Sequence, residues 1–143
     1  MCERLGLDQI KPYRYVIFDE PPPQSRLLNQ DEIENEVRQL LPQIKWESIV
    51  GSESIEENIF LFNEIKLFIG VRSVSSLLVT FMQKNTIIID IQTNPSLDVY
   101  FMASSLPRYY IVTRDNTIHS QTRMNNINIS CIKKCVKIAK QYL

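Results

Sequence analysis

The residues with the clearest chemical potential lie in one run, Lys66-Leu67-Phe68-Ile69-Gly70-Val71-Arg72-Ser73-Val74-Ser75-Ser76-Leu77-Leu78. An apolar stretch leads into a glycine, and an arginine and three serines follow. That order reads as a short buried strand, a glycine turn and the start of a helix opened by hydroxyl side chains. The first N–H groups of a helix lack intrahelical partners and its dipole favours negative charge, so such a junction suits an anion. Arg72 supplies a guanidinium for a phosphate, and Ser73, Ser75 and Ser76 supply hydroxyl donors. A Gly-to-Ser turn is equally ordinary strand-to-helix connection chemistry, so the rest of the chain must decide.

The elements that would position this run alternate. Residues 1–12 form a lead-in, and 13–143 read as a single domain. Tyr13–Phe18 is aromatic and β-branched, and three prolines after Asp19 and Glu20 stop it. Asn29 and Glu32 have the spacing of a capping box for a helix that buries Ile33, Val37, Leu40 and Leu41 and ends before Pro42. Trp46–Val50 is the next strand. Ser54 and Glu57 open a second helix with an apolar stripe through Ile55, Ile59, Leu61 and Phe62. After Leu67–Gly70 come a helix from about Ser73 to Met82, the continuously apolar strand Thr86–Ile91, and a helix opened by Ser96 and Asp98 and closed by Pro107. The strand Tyr109–Val112 precedes a polar loop over 113–126. A last helix over 129–142 points Ile132, Val136 and Ile138 inward and its lysines outward.

Strand and helix alternating five times, with connections too long for hairpins, predict an α/β fold: a three-layer Rossmann-like domain around a five-stranded parallel sheet. Such sheets bind ligands beyond the carboxyl ends of their strands. Arg26, the run from Gly70 to Ser76, and Asp90 all fall on that edge. Two arginines with hydroxyls and helix N-termini suit a diphosphate, although no Gly-x-Gly-x-x-Gly or Walker pattern is present. Asp19 and Glu20 end the first strand as the acids of a metal-binding receiver module do, but the prolines after them and the absence of a lysine ending the fifth strand oppose that reading.

Composition narrows the field. Of the 143 residues, 44% are hydrophobic and 22% charged, as in a globular protein. Sixteen basic residues balance sixteen acidic ones, so no overall field recruits nucleic acid. Cys2, Cys131 and Cys135 form no Cys-x-x-Cys pair, and the one histidine, His119, gives no basis for a metal site or a Cys/His nucleophile. Cys131 and Cys135, four apart, are expected to pack on one helix face. No run approaches a membrane span and the first residues lack a secretory signal, so this chain by itself reads as cytoplasmic.

From Lys11 onward the sequence resembles the C-terminal half of the family 61 glycosyltransferases, the group of plant xylosyl- and arabinosyltransferases and animal O-linked N-acetylglucosaminyltransferases. That half has Arg-x-x-Asn before a helix, a helix before Ile-Gly-x-His-Gly-Ala-Gly-Leu, a Val-Ile-Glu strand and a later tyrosine. Here Arg26-Leu27-Leu28-Asn29, the stretch Phe60 to Gly70, Leu77-Leu78, Ile88-Ile89-Asp90-Ile91, Tyr100 and Tyr109-Tyr110 follow in the same order. Arg72-Ser73-Val74-Ser75 stands where the family has His-Gly-Ala-Gly, and Asp90 stands where it has glutamate.

The resemblance implies one half of a GT-B fold holding a nucleotide sugar, such as a UDP-sugar, with no further cofactor and no metal. Arg26, Gly70, Arg72, Ser73, Ser75 and Ser76 would line the diphosphate and Asp90 would face the ribose or sugar; no catalytic base stands out. Two-domain members bind the acceptor largely through the other domain. A second domain or chain is therefore expected to complete the cleft, and this polypeptide alone is not expected to turn over. As part of a longer family member it would belong in the secretory lumen. The alternative is a non-catalytic interaction module that keeps the fold.

Overall fold

A computed structural model describes residues 6–18, 26–27, 29–50, 54–71, 74–92, 97–114, 124–125 and 127–143. Five parallel strands form the central sheet: β1 (Arg14–Phe18), β3 (Trp46–Ile49), β4 (Ile65–Val71), β5 (Ile87–Gln92) and β6 (Tyr109–Arg114), in the order β3-β1-β4-β5-β6. The expected α/β sheet is present. From β1 the chain first builds β3 on one side, then returns past β1 to add β4, β5 and β6 on the other. The order therefore reverses between β1 and β4.

Helices cover both faces. α1 (Gln30–Leu40) and α4 (Ile129–Ala139) pack together on the face that carries Ile17, Leu67, Ile69, Ile87, Ile89 and Ile91. α2 (Ile55–Asn63), a 3-10 helix (Val74–Phe81) and α3 (Asp98–Ala103) lie on the face of Val16, Phe18, Phe68 and Ile88. All six residues of β5 are buried, which explains why four of them are isoleucine. Each buried isoleucine side chain there contributes about 1.5–3 kcal/mol.

Several expectations change. The segment expected as a helix from Ser73 to Met82 is a 3-10 helix over its described part. The polar loop expected over 113–126 is shortened from both ends, because β6 continues to Arg114 and β7 (Met124–Asn125) pairs in parallel with β2 (Arg26–Leu27). Arg26 thus sits in a two-residue ladder opposite Met124. In α2 the buried face runs through Asn58, Phe62 and Asn63, while Ile55 and Phe60 are exposed. In α4, Ile132 and Val136 point inward as expected, but Ile138 is exposed and Cys135 and Ala139 take the core positions. The lead-in is anchored: Leu7 is buried, and the Gln83 amide donates to the carbonyls of Leu7 and Ile10.

The two expected capping boxes diverge. Ser54 accepts the Glu57 N–H at 3.3 Å and caps α2. Asn29 makes no cap bond; its Nδ2 donates to the Ile127 carbonyl at 2.8 Å and its Oδ1 accepts the Ile127 N–H at 3.0 Å. That pair of bonds ties the start of α1 to the start of α4, whose own cap is Asn128 accepting the Ser130 N–H. Cys135 is buried as expected. Burial, then the neighbouring Cys131, push its thiol above the ordinary value of 9.0, and a bond with Thr113 pulls it partly back.

If Asn29 served as a cap, aspartate would replace it without loss. Because it bridges two helices through a donor and an acceptor, Asn29→Asp and Asn29→Ala should both lower the unfolding free energy by about 1–3 kcal/mol in urea denaturation. An unchanged Asn29→Asp midpoint would restore the capping role. For Cys135, the neutral thiol is the form the fold prefers, so its stabilising contribution is complete below pH 9.0 and is lost as the pH rises through the raised value. The stability difference between wild type and Cys135→Ala should be flat below that pH and shrink above it.

Candidate functional site

The register of the sheet brings two of the proposed site residues together. Phe18, Gly70, Asp90 and Val112 are successive partners in one row across β1, β4, β5 and β6. Gly70 and Asp90 are therefore direct neighbours, at the spacing of about 4.8 Å that separates paired strands. The row lies close to the carboxyl edge: β4 continues one residue beyond it, and β5 and β6 two.

Gly70 has a packing reason to be glycine. A Cβ built there would lie 2.5 Å from the Phe68 ring, which leans along the strand over the same face. That ring cannot simply step aside, because it is held in a trio with Phe18 at 5.8 Å and Phe62 at 5.4 Å. The aromatic trio forms the floor under this end of the sheet.

Asp90 is only 2% exposed. A buried carboxylate requires donors, and the structure supplies two. The Tyr110 hydroxyl donates to Asp90 Oδ2 at 2.5 Å, and the Gln92 amide donates to the same oxygen at 2.9 Å. Gln92 Nε2 also lies 3.2 Å from the Tyr110 oxygen, closing a three-membered network. Tyr100 packs edge-on against Tyr110 with ring centroids 5.9 Å apart and limits its rotation. Sequence reasoning singled out Asp90 and missed both partners. Their signal was there in the period-two spacing of Asp90 and Gln92, and in Tyr110 on the adjacent strand.

The remaining proposed residues distribute as follows. Arg26 is in β2, between the end of β1 and the start of α1, with Met124 as its ladder partner. Ser75 and Ser76 are in the first turn of the 3-10 helix after β4. Arg72 and Ser73, like Asp19, Glu20 and His119, lie outside the described residues. Among the described residues, no group of three His, Cys, Asp or Glu side chains is arranged to hold a metal ion, and no helix is long and apolar enough to cross a membrane.

The network around Asp90 carries its own test. Tyr110→Phe removes the shortest bond to a buried carboxylate while leaving the ring in place. It should lower the unfolding free energy by about 1.5–3 kcal/mol, the range for bonds to charged groups, without loss of secondary structure. Asp90→Asn in the same background should recover part of that loss, because the variant removes the charge left with a single donor. Strictly additive effects would show that the two side chains are energetically independent.

Comparison with known proteins bears on the first four strands and the start of β5. The family described as Glycosyltransferase 61 matches residues 1–89. No curated protein matches the chain. The matched segment contains Arg26, Gly70 and the run through Ser76, and it stops one residue short of Asp90. It takes in β1 to β4, including the reversal of strand order, and more than half of the sequence. The chain thus belongs to glycosyltransferase family 61, a family of glycosyl-transferring enzymes.

Proposed function

We propose that this domain binds a nucleotide-diphosphate sugar, of the UDP-sugar class, at the carboxyl edge of the sheet. The observation that carries the reading is the strand order. In open α/β sheets ligands bind where that order reverses, and here the reversal lies between β1 and β4, so the carboxyl end of β4, with Gly70 and Val71, lies at that position. Membership in a glycosyltransferase family supports the reading of a sugar donor.

In this reading Arg26 and Arg72 neutralise the diphosphate, Ser73, Ser75 and Ser76 donate hydroxyl hydrogens to its oxygens, and Asp90 accepts from ribose or sugar hydroxyls. Gly70 leaves room for the Phe68 ring beneath the end of β4. No residue of this chain is assigned as catalytic base. Glycosyl transfer needs donor and acceptor held in line and screened from water. The domain supplies one wall of such a cleft, one half of a GT-B arrangement, and a second domain or chain would supply the acceptor wall.

A second reading is a non-catalytic interaction module. The replacement of His-Gly-Ala-Gly by Arg72-Ser73-Val74-Ser75 favours it, because two glycine steps that allow close backbone approach are gone. So do the exposed Tyr100 and Phe101 on α3 and Ile55 and Phe60 on α2.

Calorimetric titration with UDP- and GDP-sugars separates the two. Donor binding predicts a saturable heat that Arg72→Ala weakens by about tenfold or more. An absence of saturable heat at millimolar ligand would remove the donor site and leave the interaction module.

A further inference from the structure

At the opposite, amino edge of the sheet the structure holds a cleft of about 770 Å³, a size typical of small-molecule sites. Its walls combine two aromatic rings, Tyr13 and Tyr15, with the polar groups of Gln43, Lys45, Glu47 and Lys140. Both rings are fixed from behind. Tyr15 meets Trp46 edge-on with centroids 6.0 Å apart. The Tyr13 hydroxyl donates to Glu64 Oε2 at 3.1 Å, and that bond, with burial and the Glu64 charge behind it, raises the hydroxyl above its ordinary value and keeps it a neutral donor.

The polar wall is fixed by the same chain of contacts. Glu64 lies 3.5 Å from the Arg14 guanidinium, and Arg14 lies 3.1 Å from Glu47. Tyr13 and Glu47, two residues facing the cleft, are thus the two ends of one bonded chain. Preorganised walls of this kind reduce the ordering entropy that binding must overcome.

Electrostatics indicates what fits. The cleft is framed by the ends of α1 and α4, where helix carbonyls put partial negative charge. Lys45 and Lys140 have no carboxylate within salt-bridge distance among the described residues, and they balance those helix ends. With Glu47 and Glu64 matched against Arg14 and the lysines, the site is close to neutral. Among the described residues no helix N-terminus is placed at the cleft, so it lacks the backbone donors that add to side-chain cations in a phosphate site. What remains is flat aromatic surface beside planar hydrogen-bonding groups. That is complementary to a pyranose, which has an apolar C–H face and a rim of hydroxyls.

We propose that this cleft binds a neutral saccharide, with its ring against Tyr13 and Tyr15 and its hydroxyls on Gln43, Glu47 and the two lysines. The site is remote from the carboxyl edge and does not rest on the donor reading.

The test uses the full chain with four neutral disaccharides, xylobiose, cellobiose, maltose and N,N′-diacetylchitobiose, and UMP as an anionic ring of similar size. Saturation-transfer NMR reports contact, and the emission of Trp46, the single tryptophan, reports binding beside Tyr15. At least one disaccharide should bind saturably in the millimolar range and shift Trp46 emission. Tyr13→Ala should weaken it by about tenfold, and Gln43→Ala should weaken it as well. Both residues are exposed, so the variants should retain the wild-type circular dichroism. The proposal is overturned if no disaccharide receives transfer up to its solubility limit, if UMP alone binds, or if both variants bind the sugar as tightly as wild type.

Discussion

Burial of β4 and β5 on both faces is the constraint from which the other features follow. A strand with helices above and below can carry almost nothing but apolar side chains, and β5 obeys this at Ile87, Ile88, Ile89 and Ile91. Where it departs, at Asp90 and Gln92, the sheet must provide hydrogen bonds from within, since water is excluded. Tyr110 on β6 meets that demand because its hydroxyl reaches the carboxylate beside it. The same crowding leaves Gly70 without room for a methyl group, since the neighbouring face is filled by Phe68, Phe18 and Phe62.

The layers on the two sides meet that constraint differently. α1 and α4 are eleven residues each and hold one another through Asn29 and Ile127 and an ion pair between Lys133 and Glu36 at 3.0 Å. The other layer is built from shorter pieces, and Arg108 gathers their ends. Its guanidinium donates to the carbonyls of Thr80, Met82, Met102 and Ala103, closing the 3-10 helix and α3 onto the start of β6. Orphan carbonyls at a helix end need donors, and one planar cation with five N–H groups can serve two helix ends together.

The strands were legible in the sequence because each carries its own signal: β-branched and aromatic runs ended by glycine, proline or a polar cluster. The Ser54 cap was legible for the same reason, since its bond is local. What could not be read depended on partners far along the chain. Asn29 has the spacing of a cap, yet its side chain is claimed by Ile127, ninety-eight positions away. β2 and β7 are two residues each, too short for any periodic pattern, and exist only because they pair. Ile55, Phe60 and Ile138 carry the composition of core residues, but which face of a helix is buried is decided by the sheet beneath it. For the candidate site, Asp90 stood out as a charge in an apolar strand, whereas Tyr110 and Gln92 acquire meaning only through register.

The 3-10 conformation after β4 alters the physics of anion binding at that edge. An α-helix offers several unpaired N–H groups and a dipole that grows over its first turns. A 3-10 helix closes each bond one residue earlier, with poorer alignment, and rarely runs beyond a turn or so. The eight residues from Val74 to Phe81 are long for this conformation, and they are sustained at their far end by Arg108 and by the Asn63 amide on the Phe81 carbonyl. Backbone dipoles therefore contribute less here than they would in a regular helix, and glycine steps that bring a phosphate against the backbone would gain correspondingly little. On the donor-binding proposal, side-chain cations and hydroxyls would be the compensating chemistry. The loss of the glycine steps, which favours the interaction module, therefore counts less against the donor-binding proposal at this segment than it would at a regular helix.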